Sequence, residues 1–206
     1  MRTDLFQQIL ALFLLIATSS LIQAGESGTE KNTALLSSAK TSHVVEPESG
    51  TESWEVLAEG ISVNLTQIVP DRARAFFAAR GFGKEAAERY ARSCIFATVV
   101  RNEGEAAISL HVADWRALVN KQELKPKLEP EWQTEWEQMK LTQAARIAFR
   151  WSQFPLDQYF ETGDWGQGMT TYSLPHGTCF DLAFKWTENG KTKSGIMKGA
   201  CCAQDR

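Results

Sequence analysis

Alternation of apolar and polar residues is the clearest pattern in the last third of the chain. Over residues 180–186, every second residue is large and apolar, and the residues between them are polar or small. The same period of two occurs over 61–67, and it is typical of a strand with one buried face. Asn189 and Gly190 then supply the positive φ angles of a tight hairpin turn. We therefore predict an antiparallel hairpin that continues over 191–197.

Three further segments also have the composition of strands. The runs 94–102 and 106–115 are rich in β-branched and apolar residues and surround a short polar loop. This arrangement predicts a second hairpin. In the segment 146–151, large apolar residues again occupy every second position, which predicts another strand. These residues are Ile147, Phe149 and Trp151.

Helical patterns interrupt the strands in two places. Between about 71 and 93, two alanine-rich segments separated by Gly81 predict a short helical pair inserted into the β-domain. Behind Pro130, three apolar residues follow at helical spacing and predict one apolar stripe on a short helix. We expect this stripe to pack in the core; its residues are Trp132, Trp136 and Met139.

Together these elements predict a mainly β fold in a single domain over residues 54–206. This stretch has a suitable length for one domain and contains all seven tryptophans. About eight short strands with one helical insertion favour an immunoglobulin-like two-sheet β-sandwich. A jelly roll and a small barrel are the alternatives, because they also bury one face of each strand.

The N-terminal part of the chain predicts export. Residues 1–24 carry the basic residue Arg2 near their start, continue with the apolar run 9–16 and end at Ala24, as a secretory signal peptide does. The apolar run is shorter than the roughly 20 residues that a membrane span needs, and no run after residue 24 approaches that length, so we expect no span in the mature chain. Residues 25–53 are rich in Ser, Thr, Glu and Gly and predict a flexible linker. The mature protein is therefore expected to be secreted or periplasmic.

The charge balance of the domain limits the kind of partner. Residues 54–206 contain 19 Lys and Arg against 19 Asp and Glu, so the domain has no net charge. Binding to nucleic acid needs a clustered basic surface. We therefore predict a partner protein or a small ligand outside the cytoplasm, and no nucleic acid.

The chain contains four cysteines, an even number in a chain predicted to enter an oxidising compartment, which indicates two disulfides. The neighbours Cys201 and Cys202 are not expected to bond to each other, because adjacent Cα atoms lie about 3.8 Å apart and disulfides prefer about 5.5 Å. Two pairings remain open. Either Cys94 bonds Cys201 and Cys179 bonds Cys202, or Cys94 bonds Cys202 and Cys179 bonds Cys201.

The same cysteines also support an alternative hypothesis. Thiolate, thioether and imidazole groups together suit Cu(I), and residues of these types occur near the end of the chain. The alternative is a periplasmic copper-handling or thiol-redox accessory protein with copper as its cofactor. Its candidate ligands are His176, Cys179, Met197, Cys201 and Cys202.

No catalytic motif is found: the chain lacks GxSxG, HExxH and a phosphate-binding glycine loop. We therefore predict no enzyme activity, no catalytic residue and no cofactor, and favour an exported, disulfide-bonded binding or accessory domain. A glycine-rich turn with two carboxylates and an aromatic residue is a candidate ligand-binding loop, and it supports a third hypothesis, a carbohydrate-binding module. Its residues are Glu161, Asp164 and Trp165.

Overall fold

The computed structural model describes residues 39–205, which form two antiparallel β-sheets packed face to face, with helices on the outer face of one sheet. The predicted two-sheet β-sandwich with inserted helices is therefore confirmed. The predicted signal peptide, residues 1–24, and the linker residues 25–38 lie outside the described residues.

Sheet A contains five strands in the order β1-β2-β3-β4-β9. Its inner face is apolar because alternate residues of each central strand point toward sheet B, as Ile61, Val63 and Leu65 do in β3. The strands are β1 (Lys40–Val45), β2 (Glu52–Ala58), β3 (Ile61–Gln67), β4 (Cys94–Asn102) and β9 (Trp165–Tyr172).

Sheet B is organised around β10, which pairs with β11 along one edge and with β5 and β6 at different ends of its other edge. Phe180, Leu182, Phe184 and Trp186 of β10 are buried, as the alternation predicts, and the turn at Asn189 leads into the predicted hairpin. The strands are β5 (Ile108–His111), β6 (Arg116–Val119), β7 (Gln122–Leu124), β8 (Asp157–Phe160), β10 (Cys179–Glu188) and β11 (Lys191–Cys201).

Within residues 39–205, four α-helices lie in two pairs. The first pair begins at Pro70, since proline suits the first turn of a helix. The second pair is joined by a short turn, after which the Thr142 side chain accepts a hydrogen bond from the backbone N–H of Ala145. None of these helices in residues 39–205 combines the length and hydrophobicity of a membrane span. The helices are α1 (Pro70–Ala78), α2 (Lys84–Ala91), α3 (Glu129–Gln138) and α4 (Gln143–Ser152).

The helices form a second apolar core on the outer face of sheet A. Trp132 and Trp136 of α3 are fully buried there, which confirms that the predicted apolar stripe packs in the core. They pack around Phe149 of α4, and Ile95 of β4 contributes the sheet side of the cluster. The sheet is therefore covered on both faces near β4.

The predicted strand over 146–151 is wrong, because this segment is part of α4. Only Phe149 of its three large apolar residues is buried, together with Ala145 one helical turn earlier, whereas Ile147 and Trp151 are exposed. Apolar residues at i, i+2 and i+4 fit a strand, but the capping threonine and the alanines around them favour a helix.

The predicted hairpin of 94–102 with 106–115 is also wrong. β4 pairs with β3 on one side and β9 on the other, so both of its edges are occupied. The chain after β4 crosses to sheet B, where β5 pairs with β8 and β10. A short polar loop between two strands is compatible with a hairpin and with a crossing between sheets.

The structure differs from the sequence prediction in two further respects. Residues 40–45, inside the predicted linker, form β1, which pairs along its whole length with β2. Residues 39–205 contain 11 strands where about eight are predicted, and the second helical pair adds to the predicted insertion near 71–93. The added strands are mostly short or at sheet edges, where the apolar pattern is weak.

Candidate functional site

The neighbouring cysteines of the C-terminal segment bond in opposite directions. Cys201 lies directly across the hairpin from Cys179 and bonds to it, with 3.9 Å between the Cα atoms. Cys202 points to the interior and bonds to Cys94 of β4, with 5.0 Å between the Cα atoms. Successive residues of an extended chain face opposite sides, so one disulfide lies outside the sandwich and the other inside it.

The two disulfides differ in accessibility. Cys94 and Cys202 are only 1% and 2% exposed, and they join the two sheets within the main core. Cys179 is exposed and Cys201 is half-buried. The sequence prediction of two disulfides is confirmed, and the structure selects one of the two pairings that the sequence leaves open.

The exposed disulfide forms part of the wall of a surface cleft of about 350 Å³, which we call the C-terminal cleft. Its volume is in the range of small-ligand sites. Three carboxylate residues line it, and neither lysine nor arginine occurs among its described lining residues. The lining includes the β1–β2 turn at Ser49 and Gly50, the carboxylates of Glu52, Asp71 and Asp205, and both residues of the exposed disulfide.

Arg74 attaches the end of the chain to the first helical pair. Its guanidinium donates to Asp71 at 2.8 Å, to Glu88 at 2.7 Å and to Asp205 at 2.8 Å. These hydrogen bonds raise the pKa of Arg74 far above its usual value and lower the pKa of the Glu88 and Asp205 carboxyls. The carboxylates therefore stay ionised at neutral pH, and the segment beside the cleft is held in place by charge-assisted hydrogen bonds.

Each of the five candidate copper ligands has another partner in the structure. Met197 is 1% exposed in the main core, where its side chain packs with apolar residues. The His176 ring donates from Nε2 to the backbone oxygen of Ala91 at 2.9 Å. Cys179, Cys201 and Cys202 are all disulfide-bonded and so offer no thiolate. Within residues 39–205, no group of three or more His, Cys, Asp or Glu residues has the arrangement of a metal site.

Glu161, Asp164 and Trp165 lie together at the turn between β8 and β9. The Asp164 carboxylate accepts a hydrogen bond from the backbone N–H of Glu161 at 3.0 Å, which closes the turn. The Glu161 carboxylate near the exposed Tyr159 hydroxyl raises the pKa of that hydroxyl. Trp165 is 52% exposed. A role for this turn in binding sugars stays a prediction.

One group of polar side chains was not predicted as a site. His111 of β5 contacts the carboxylate of Asp157 of β8 through Nδ1, on the outer face of sheet B. Both line a shallow concavity of about 420 Å³ with Tyr159 and Lys185. Alternation does place His111 on the polar face of its strand, but β8 was not predicted, so its pairing with β5 could not be seen.

The other unpredicted feature is β1, the outermost strand of sheet A. All six of its residues are exposed. Because His43 is paired with the inward-facing Trp54, the alternate residues Thr41, His43 and Val45 also point to the inner side. Sheet B does not extend beneath them, so the inner side of β1 is uncovered by the described residues. The only sequence signal is the short β-branched run at its end.

His43 connects β1 to the rest of the site. Its ring stacks on Trp54 with the centroids 4.9 Å apart and the planes 7° from parallel. Its Nε2 lies 2.8 Å from the Glu52 carboxylate, which also lines the C-terminal cleft. The uncovered side of β1 and the cleft are therefore continuous through Glu52.

The opposite edge of sheet A, formed by β9, is partly covered by neighbouring segments of the chain. The backbone N–H of Phe154 donates to Met169 of β9 at 2.9 Å, and the N–H of Lys127 donates to Thr171 at 2.8 Å. These contacts use part of the free edge of β9. In contrast, no backbone contact within residues 39–205 covers the outer edge of β1.

No family model, no curated protein sequence and no solved structure matches this chain.

Proposed function

We propose that this chain is an exported, non-catalytic binding protein that recognises an extended segment of a partner protein at β1. Two disulfides in a β-sandwich are typical of domains that fold in an oxidising compartment. The predicted signal peptide at residues 1–24 supports the same location. The observation that carries the proposal is that no part of residues 39–205 covers the outer edge or the inner side of β1.

An open edge strand is a ready partner for another strand. Natural proteins usually block such edges with charges, proline, a bulge or a covering segment. β1 contains a single charged residue, Lys40, contains no proline, and pairs with β2 in continuous register. Its backbone is therefore suited to strand addition, in which the partner supplies the next strand of the sheet.

The side chains of β1 would add specificity to this backbone pairing. Val44 and Val45 are 58% and 50% exposed and face opposite sides of the sheet, so an added strand would bury part of both. Past the end of β1, the cleft is lined by three carboxylates, of which Asp71 and Asp205 are paired with Arg74 and Glu52 contacts His43. The partner that fits best is therefore an extended apolar segment that pairs with β1.

The test uses substitutions that charge the edge without disturbing the core. In the variant Val44→Lys/Val45→Lys, both changed residues are half-exposed, so the fold should persist. The control Trp151→Lys changes an apolar residue that is 84% exposed on α4, away from β1. We expect partner recovery from the extracytoplasmic fraction of the native cells to fall at least about tenfold for the β1 variant only.

A photo-crosslinking residue at the exposed Ser42 locates the contact. The proposal predicts crosslinks from this position to one short extended segment of the recovered partner. Equal recovery by wild type and both variants would contradict it. Crosslinks from Ser42 to scattered positions of the partner would also contradict it. The absence of any specifically retained protein would do the same.

Two other functions stay predictions. A carbohydrate-binding function would use the exposed Trp165 beside Glu161, and it predicts quenching of tryptophan fluorescence by glycans. A copper-handling function would need free thiols at Cys179, Cys201 and Cys202, which reduction of both disulfides would have to supply first.

A further inference from the structure

The exposed disulfide is open to attack by an external thiol. Cys179 is exposed at the start of β10, and both residues of the bond face the C-terminal cleft. Thiol–disulfide exchange needs the attacking thiolate to reach a sulfur atom along the disulfide axis. The cleft allows this approach to Cys179–Cys201. Cys202 also lines the cleft, but Cys202 and Cys94 are only 2% and 1% exposed, so attack on their bond requires the sandwich to open first.

Cys179 and Cys201 are held next to each other by more than their disulfide. Cys179 and Cys201 are opposite residues of a hairpin that is closed by the turn at Asn189 and paired as far as Glu188 and Lys191. The backbone oxygen of Cys201 also accepts a hydrogen bond from the buried Gln67 side chain at 2.9 Å. Strand pairing and this hydrogen bond therefore hold the two residues in place in addition to the disulfide.

The second disulfide has the opposite character. Cys94 lies in sheet A, and Cys202 follows the last strand of sheet B, so their bond joins the sheets across 108 residues of sequence. It is surrounded by the main apolar core. The Cys94–Cys202 bond is thus buried in the core, and the Cys179–Cys201 bond is accessible at the surface.

We infer that Cys179–Cys201 is a redox-exchange site for a protein dithiol outside the cytoplasm. One thiolate of the dithiol attacks Sγ of Cys179, the Sγ–Sγ bond breaks, and Cys201 leaves as a thiolate that takes up a proton. The second thiolate of the dithiol then attacks the mixed disulfide and releases Cys179 as a thiol. Two electrons and two protons pass to this chain, and the dithiol leaves as its own disulfide. The inference does not depend on what binds at β1.

The first test measures which cysteines a dithiol reduces in the native full-length mature chain. Limited dithiothreitol is followed by alkylation with N-ethylmaleimide and peptide mass mapping. We expect Cys179 and Cys201 to be labelled at least about 100-fold faster than Cys94 and Cys202, which react only after opening of the core. The control Cys179→Ser/Cys201→Ser should keep a native near-ultraviolet circular dichroism spectrum and show only the slow labelling.

The second test uses a protein dithiol. A thioredoxin variant that lacks its resolving cysteine traps the mixed disulfide, and we expect the adduct on Cys179, the more exposed residue. Equal labelling rates for the two pairs, faster labelling of Cys94 and Cys202, or no labelling before denaturation would overturn the inference. Reduction by dithiothreitol without any thioredoxin adduct would overturn the exchange with a protein dithiol.

Discussion

At the scale of single residues, Asn102 organises the connection between the two sheets. Its side chain is fully buried at the end of β4. The amide nitrogen lies 2.9 to 3.1 Å from the backbone oxygens of Ala106, Phe160 and Glu161, and the amide oxygen accepts from the N–H of Gly104. Buried backbone groups need such partners. The Asn102 side chain therefore forms hydrogen bonds with backbone groups of two segments. One is the loop that crosses between the sheets, and the other is the turn that contains the predicted ligand-binding residues.

Replacing Asn102 should lower the stability of the fold. We expect Asn102→Ala to lower the free energy of unfolding by about 2 to 3 kcal/mol, because it leaves several buried backbone groups unpaired. The matched control Asn64→Ala removes a side chain that bonds only to Thr66 of the same strand, and it should cost less than about 0.5 kcal/mol. Guanidinium unfolding of both variants measures the difference, and equal midpoints would contradict the role of Asn102.

At the scale of elements, α4 shows how a pattern of apolar residues can predict the wrong structure. The positions of Ile147, Phe149 and Trp151 fit a strand, but a helix needs only the buried pair Ala145 and Phe149, one turn apart. Phe149 packs against Trp132 and Trp136 of α3. The neighbouring helix therefore determines which side of the segment is buried.

Alanine substitutions distinguish the helix from the predicted strand. We expect Phe149→Ala to destabilise the protein by about 3 to 5 kcal/mol, because it leaves a cavity among the aromatic residues of the second core. Ile147→Ala and Trp151→Ala, at positions 43% and 84% exposed, should each change stability by less than about 1 kcal/mol. A strand with all three residues on its buried side would instead lose stability in all three variants, as thermal unfolding would show.

At the scale of the whole molecule, the C-terminal segment closes the sandwich. It continues from β11 and is bonded to sheet A through Cys94–Cys202 and to β10 through Cys179–Cys201. Its residue Asp205 accepts a hydrogen bond from Arg74 of α1. The two disulfides constrain unfolded loops of different length, since their sequence separations are 108 and 22 residues. We therefore expect Cys94–Cys202 to contribute more to stability than Cys179–Cys201.

Removing one disulfide at a time tests this difference. Loop entropy predicts a loss of about 5 kcal/mol for Cys94→Ala/Cys202→Ala and about 3 kcal/mol for Cys179→Ser/Cys201→Ser. The buried pair also loses core packing, which widens the difference. Guanidinium unfolding of each variant, with the other disulfide intact, gives both values. A larger loss for the exposed pair would contradict the division into a structural and an accessible disulfide.

Some of this molecule follows from the sequence because the causes are local. Period-two alternation identifies β3 and β10, the Asn189–Gly190 turn predicts the hairpin of β10 with β11, and the spacing of Trp132 and Trp136 predicts a buried helix face. Four cysteines predict two disulfides, and the strained ring that adjacent cysteines would form disfavours a bond between Cys201 and Cys202. In each case, neighbouring residues carry the information.

The tertiary structure decided what depends on distant neighbours. Which cysteine bonds to Cys94 follows from the inward direction of Cys202 once β11 lies beside β10. The separation of β4 from β5 follows because β3 and β9 occupy both edges of β4. The open edge of β1 and the contact of His111 with Asp157 likewise need strand pairings that a local pattern does not contain. Alternation shows which face of a strand is buried, but backbone hydrogen bonds are alike in every strand, so only the packed fold selects the partner.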